Sequence, residues 1–304
     1  MFRRVCRILL LTSTLGGLSA CATSENTKLS SSSSSSASSS TGDVLPAGPV
    51  RIAYGARPEQ FGELRLPQGN GPFPVVVVIH GGCWVNFYGL DLMHDMSDAL
   101  TAQGLATWNI EYRRLGDAES NYPNTLLDVG SAVDHLRKIA VEHHLDLSKV
   151  TTVGHSAGGH LGVWVAARSK LDAQNPLRGS DPLPIRGSVA LAGVLDLAES
   201  LNLGVCNGTA GKLMQGTPAE VPAHYAEASP KELLPISIPQ HLIHGNADTL
   251  VPLVMSQHYL EAAKAAGDAG VTLDVIDGAD HFDVITPSSA QWPTVMKIIV
   301  DVAR

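Results

Sequence analysis

Between residues 74 and 79 the chain reads Pro74-Val75-Val76-Val77-Val78-Ile79, a β-branched run with no polar position left to face water. A half-exposed strand alternates, so an unbroken run of this length predicts a strand covered on both faces. Shorter apolar runs predict further strands at 50–54, 61–66, 106–112, 150–153, 188–192, 240–244 and 271–276, the first two forming an antiparallel hairpin that turns over 55–60. Between these runs the apolar spacing lengthens to a helical period, predicting helices at 90–103, 123–144, 159–169, 256–266 and 292–303. The helix predicted at 123–144 carries Val129, Ala132, Val133, Leu136, Ile139 and Ala140 on one stripe, with Asp128, Asp134, Arg137 and Lys138 off it, which is a core-facing surface. Strands and helices in alternation make a mostly parallel, eight-stranded sheet with helices on both faces, an α/β fold. The alternation lapses between Asp196 and Ser237, where Asn207-Gly208, Gly211, Gly216-Thr217-Pro218 and Val221-Pro222 are too many breakers for one helix. A connection of that length in a compact domain is expected to cover a site.

The first residues follow a different rule. Arg3, Arg4 and Arg7 precede a short apolar stretch from Ile8 to Leu15, and Leu18-Ser19-Ala20 sets small residues before Cys21. The stretch is shorter than the ~20 apolar residues that span a bilayer. From 22 to 49 serine dominates, with an unbroken run from Ser30 to Ser36, and such a segment buries too little apolar area to fold. The expected organisation is therefore an export signal at 1–20, a tether at 21–49 and one domain at 50–304. Loss of residues 1–20 moves the formal charge from −8 to −11, and no basic stripe is present, so nucleic acid is not an expected partner. Of the four cysteines only Cys83 and Cys206 reach the domain; in an oxidising compartment they can bond to each other or remain two buried thiols.

Chemistry concentrates at the ends of the predicted strands. Gly154-His155-Ser156-Ala157-Gly158 follows one strand and opens a helix, a turn that exposes a serine hydroxyl from a strained backbone and crowds the positions two before and two after it. His80-Gly81-Gly82-Cys83-Trp84 follows the valine strand, where consecutive glycines let backbone N–H groups converge on an anion. An activated serine needs a base and an orienting acid, and functional loops of an open α/β sheet lie at the carboxyl ends of its strands. That rule selects Asp248, after the strand at 240–244, and His281, after the strand at 271–276. Asp280 and Asp283 adjoin the base too closely in sequence to curl back and hold it. His155 is expected to point away from the serine, His160 opens a helix, and His94, His143 and His144 read as solvated. His241-x-x-His244 lacks a third ligand, so no metal site is expected.

These features together resemble the α/β-hydrolase superfamily over residues 62–304, and the esterase branch that holds hormone-sensitive-lipase-like enzymes, kynurenine formamidases and feruloyl or acetylxylan esterase-like proteins. The resemblance implies Ser156 as nucleophile, His281 as general base and acid, Asp248 as orienting acid, and an oxyanion hole of the backbone N–H groups of Gly82, Cys83 and Ala157. It implies a carboxylesterase that takes small-molecule acyl esters and needs no cofactor, with an arylformamidase on the same triad or an inactive hydrolase-fold binding protein as alternatives. Lipase-like members carry a third glycine where this chain has Cys83 and Trp84, and Trp84 is expected to wall the acyl pocket. The amino terminus resembles a bacterial lipoprotein signal, which implies lipidation of Cys21 and a membrane-anchored protein facing the periplasm or the cell exterior.

Overall fold

The computed structural model describes residues 48–304; the predicted signal, Cys21 and the tether up to residue 47 lie outside the described residues. The strands are β1 (Val50–Ala53), β2 (Phe61–Arg65), β3 (Phe73–Ile79), β4 (Ala106–Ile110), β5 (Leu145–His155), β6 (Gly187–Leu191), β7 (Gln240–Gly245) and β8 (Val271–Ile276). They form one sheet in the order β1-β2-β4-β3-β5-β6-β7-β8, in which β2 pairs antiparallel with β1 and β4 and every other pairing is parallel.

The central strand β3 explains its own sequence. Val75, Val77 and Ile79 enter one apolar cluster and Val76 and Val78 enter a second, and all five are fully buried. At ~0.8 kcal/mol per buried methylene, such a strand fixes the middle of the sheet. The second cluster is filled by α1 (His94–Ala102) and α9 (Trp292–Ala303) through Met96, Leu100, Trp292, Val295 and Ile299. The opposite face carries α2 (Asn124–Asp134), α3 (Leu136–Ile139), α4 (Ala157–Ala167) and α8 (Val254–Ala265).

The predicted long helix at 123–144 is shorter and interrupted. Its stripe is buried as expected, but the turn tightens at His135, whose amide bonds to the carbonyls of Ser131 and Val133, and the helix ends by Ala140. His144 then takes a left-handed φ of 52° and its carbonyl accepts the Phe73 amide at 2.8 Å, so it is exposed as expected but forms a corner of the sheet and not part of the helix. In consequence β5 begins at Leu145, five residues before the predicted start, with an irregular register opposite Pro74/Val75.

The segment 196–237 is also more ordered than its breakers suggest. It holds three short α-helices, α5 (Leu197–Asn202), α6 (Thr209–Met214) and α7 (Pro222–Ala228), and two 3-10 turns, Val205–Gly208 and Pro230–Leu233. Asp196 caps α5 by accepting the amides of Ala198 and Glu199, and Tyr225 and Ala228 enter the core.

Candidate active site

Ser156 sits between β5 and α4 with φ 55° and ψ −117°, a conformation that costs a side-chain-bearing residue of order 1–3 kcal/mol. Three bonds hold it there: its amide donates to the Leu191 carbonyl at 2.8 Å, and its carbonyl accepts the Val194 and His160 amides, each at 3.2 Å. The flanking glycines are obligatory. A Cβ on Gly154 would lie 2.0 Å from the Gly158 carbonyl oxygen, and one on Gly158 would lie 2.1 Å from that of Ile79.

The loop after β3 supplies the anion site. Gly82, Cys83 and Trp84 have φ of 100°, 54° and 55°, three successive left-handed residues that turn the chain sharply beside Ser156. Among the described residues no acceptor takes the amide hydrogens of Gly82, Cys83 or Ala157. The loop is anchored from below by His80, whose Nε2 lies 2.8 Å from Glu111 Oε1 and whose carbonyl accepts the Tyr112 hydroxyl at 2.8 Å. Burial opposes the charge on Glu111, but His80, the Arg114 guanidinium and the Tyr112 amide outweigh it and hold the carboxyl below its usual range. Through its bond to His80, Glu111 supports this loop.

Asp248 and His281 come from the loops after β7 and β8 and meet. His281 Nδ1 donates to Asp248 Oδ2 at 2.6 Å, and the other carboxylate oxygen accepts the amides of Leu250 and Val251 at 2.8 and 2.9 Å. Burial raises the Asp248 pKa, yet hydrogen bonds from His244 and His281, the His281 charge and the Val251 amide reverse this and hold it well below the carboxylate range. Asp280 is turned elsewhere, accepting the amides of Phe282 and Asp283. Ser156 and His281 line one cavity, although no hydrogen bond joins their side chains among the described residues. Such bonds are often long without substrate.

Two further histidines belong to this arrangement, in roles that no sequence pattern marks. His244 is fully buried, with Nε2 2.8 Å from the Val251 carbonyl and 3.4 Å from Asp248 Oδ2, while Nδ1 faces Ser256 Oγ at 2.7 Å. An imidazole nitrogen facing a carbonyl must carry hydrogen, so His244 donates toward the acid. His241, three residues earlier, points instead to Thr272, and no group of three or more His, Cys, Asp or Glu among the described residues is arranged to hold a metal ion. His155 lines the same cavity as Ser156, and its Nε2 donates to the His281 carbonyl at 2.8 Å with the two rings 4.5 Å apart.

Trp84 corrects an expectation. It is 1% exposed and absent from the cavity wall; its indole N–H donates to His160 Nδ1 at 3.2 Å, and His160 Nε2 in turn donates to the Ala228 carbonyl. The left-handed backbone turns the ring down into the core, so Trp84 braces the loop and does not meet substrate. The cavity, of about 370 Å³, is instead lined by Tyr88, Leu92, Leu250, Val251 and Phe282 together with Gly204, Cys206 and Asn207. Cys206 reaches it because Cys83 and Cys206 are joined by a disulfide. A larger groove, of about 510 Å³, lies at the amino ends of the strands around Arg186, His241 and Asp301 and holds none of these groups.

A family model described as BD-FAE matches residues 63–262. The chain belongs to the BD-FAE family. As a BD-FAE protein it has the α/β-hydrolase fold, which the eight-stranded order and the serine turn already describe. It is 30% identical over 128 residues to Esterase LipC of Mycobacterium tuberculosis, a match that covers 41% of this chain and 30% of that protein. The structure resembles that of a bifunctional GH43-CE protein of Bacteroides eggerthii at 25% identity and a TM-score of 0.70, covering 83% of this chain and 37% of the other. Esterase B of Lactobacillus rhamnosis shares the fold, at 22% identity and a TM-score of 0.72 over 86% of this chain and 87% of the other. The chain thus spans about a third of the length of LipC and of the Bacteroides protein.

Proposed function

We propose that this BD-FAE protein is a serine carboxylesterase acting on small acyl esters. The observation that supports this best is the Asp248–His281 pair at 2.6 Å, opening on the cavity that also holds Ser156 and the unpaired amides of Gly82 and Cys83. His281 Nε2 takes the Ser156 proton as Oγ attacks the ester carbonyl, and Asp248 keeps the Nδ1 hydrogen and stabilises the imidazolium. The amides of Gly82, Cys83 and Ala157 receive the negative oxygen; one such donor is worth ~10²–10³ in rate. His281 then gives its proton to the leaving alcohol, and water repeats the sequence on the acyl-enzyme. The names of the relatives, an esterase in LipC and esterase B and a carbohydrate-esterase portion in the Bacteroides protein, point to the same reaction class. A cavity of about 370 Å³ favours a small ester.

The reading includes an address: residues 1–20 as an export signal, lipidation at Cys21, and a tether at 21–49 that carries the domain outside the cytoplasm. Hydrolysis of p-nitrophenyl acetate by the purified protein and by Ser156→Ala tests the enzyme. Loss of roughly 10⁴-fold or more in kcat is expected, and turnover unchanged in the variant overturns the serine mechanism. Comparison with an N-formyl arylamide separates esterase from arylformamidase.

A further inference from the structure

We infer that the Cys83–Cys206 disulfide is a specificity-determining wall of the site, setting the size of the acyl group that Ser156 accepts. This deepens the esterase reading and rests on it. Cys83 does two things at once: its amide faces the anion position, and its side chain crosses to Cys206, 123 residues later, on the segment between α5 and α6. Cys83, Cys206, Gly204 and Asn207 all line the cavity that holds Ser156 and His281.

The segment depends on that bond for its position. Gly204, Cys206, Asn207 and Gly208 have φ of 67°, 54°, 51° and 74°, so Cys206 and Asn207 are held left-handed, where residues with a Cβ rarely rest. Its backbone bonds are local, Gly204 to Leu201 and Asn207 to Gly204; Val205 is buried in the core, and Cys206 packs against the same cluster. The cross-link to the Cys83 turn supplies the remaining constraint.

The direction of the wall follows from the chemistry. Around the attacked carbon the leaving oxygen must lie against His281, which protonates it, and the negative oxygen must lie at the amides. Cys83 belongs to the loop that carries the amides and Cys206 is bonded to it, whereas Leu250 and Phe282 follow Asp248 and His281 along the chain, and all four line the cavity. The substituent that meets them is therefore the acyl chain. With the bond closed the turn at 204–208 limits that chain; with it open the turn is free to withdraw.

The test is a p-nitrophenyl ester series from acetate to octanoate, with the leaving group constant, on the full chain in three states: disulfide intact, Cys206→Ser, and wild type reduced by a phosphine, with alkylation of the folded protein showing two thiols more than in the oxidised form. The octanoate-to-acetate ratio of kcat/KM is expected to rise about tenfold or more when the bond is absent, since pocket fit to one or a few methylenes is worth about 10–200-fold. A ratio unchanged within twofold after both thiols are free overturns the proposal. Should Cys206→Ser not fold, the reduced wild type decides alone. Ser156→Ala run beside them separates the two ideas: an active Ser156→Ala protein defeats the esterase reading, whereas an inactive one with an unmoved ratio defeats only the wall.

Discussion

Asp248 Oδ2 receives the His281 Nδ1 hydrogen at 2.6 Å while Oδ1 of the same carboxylate receives two backbone amides, those of Leu250 and Val251. This asymmetry decides what Asp248→Asn would do. The two amides demand an acceptor, so the new side chain places its oxygen there and turns its NH₂ toward His281. Nδ1 must then accept, and the ring's hydrogen moves to Nε2, where it faces Ser156 and cannot remove a proton. We expect kcat to fall by roughly 10⁴-fold with the melting temperature little changed. Steady-state kinetics on a short acyl ester checks this; a loss below tenfold would remove Asp248 from the acid's role.

The parts of this site that could be read from the sequence are those whose residue type is forced by local geometry. Gly154 and Gly158 are glycines because backbone oxygens lie 2.0 and 2.1 Å from where a Cβ would stand, and β3 runs from Val75 to Ile79 without a polar position because both its faces are buried. The hidden parts are those in which tertiary partners override local pattern. His135 and His144 end a helix whose stripe continues to Ala140, because His144 must meet Phe73 to start β5. Trp84 reads as a pocket wall in sequence, yet a run of positive φ turns it under the loop to His160. His244 reads as one more strand histidine, and its contact with Asp248 arises only from the bend that brings Val251 and Asp248 back over the end of β7.

Buried histidines make the fold sensitive to acid. Burial, then the nearby His281 charge, lowers the His155 pKa to about 3, and burial lowers that of His160 to about 4. Both are below the ordinary value of 6.5, so the unfolded chain binds these protons first. Their contribution to stability is intact above about pH 6.5 and declines as pH falls toward the folded values. Between pH 7.5 and 5 each histidine should cost about 2 kcal/mol. His135 and His241, also lowered by burial, act in the same direction; His258, raised by Glu199, acts oppositely but is solvent-screened. Urea unfolding at the two pH values should show the decline, and His160→Phe, less stable at pH 7.5, should show a shallower one. Equal stability at pH 7.5 and 5 would contradict the neutral, buried state of these rings.

The acid and base loops can approach only because β7 ends in glycine. A Cβ on Gly245 would lie 2.1 Å from the Ala279 carbonyl oxygen and 2.7 Å from its carbon, both backbone atoms that no rotamer change can move. Around that contact the loops are bonded to each other, Asn246 to Ile276 at 3.1 Å, Ala247 to Ala279 at 3.0 Å, and the Asn246 side chain to Gly278 at 2.8 Å and to Asp277 at 2.7 Å. Gly245→Ala must therefore push the residues just before His281 outward as a unit, carrying the base away from Asp248. A misplacement of about 1 Å costs on the order of 10² in rate, so we expect at least that loss in kcat/KM together with a lower melting temperature. Gly162→Ala is the matched control, since its Cβ would meet Thr152 at an ordinary 3.6 Å within α4. There activity should be kept and stability should rise by up to about 1 kcal/mol through helix propensity. Wild-type kinetics in Gly245→Ala would mean that the two loops tolerate separation, and the glycine would then serve the strand alone.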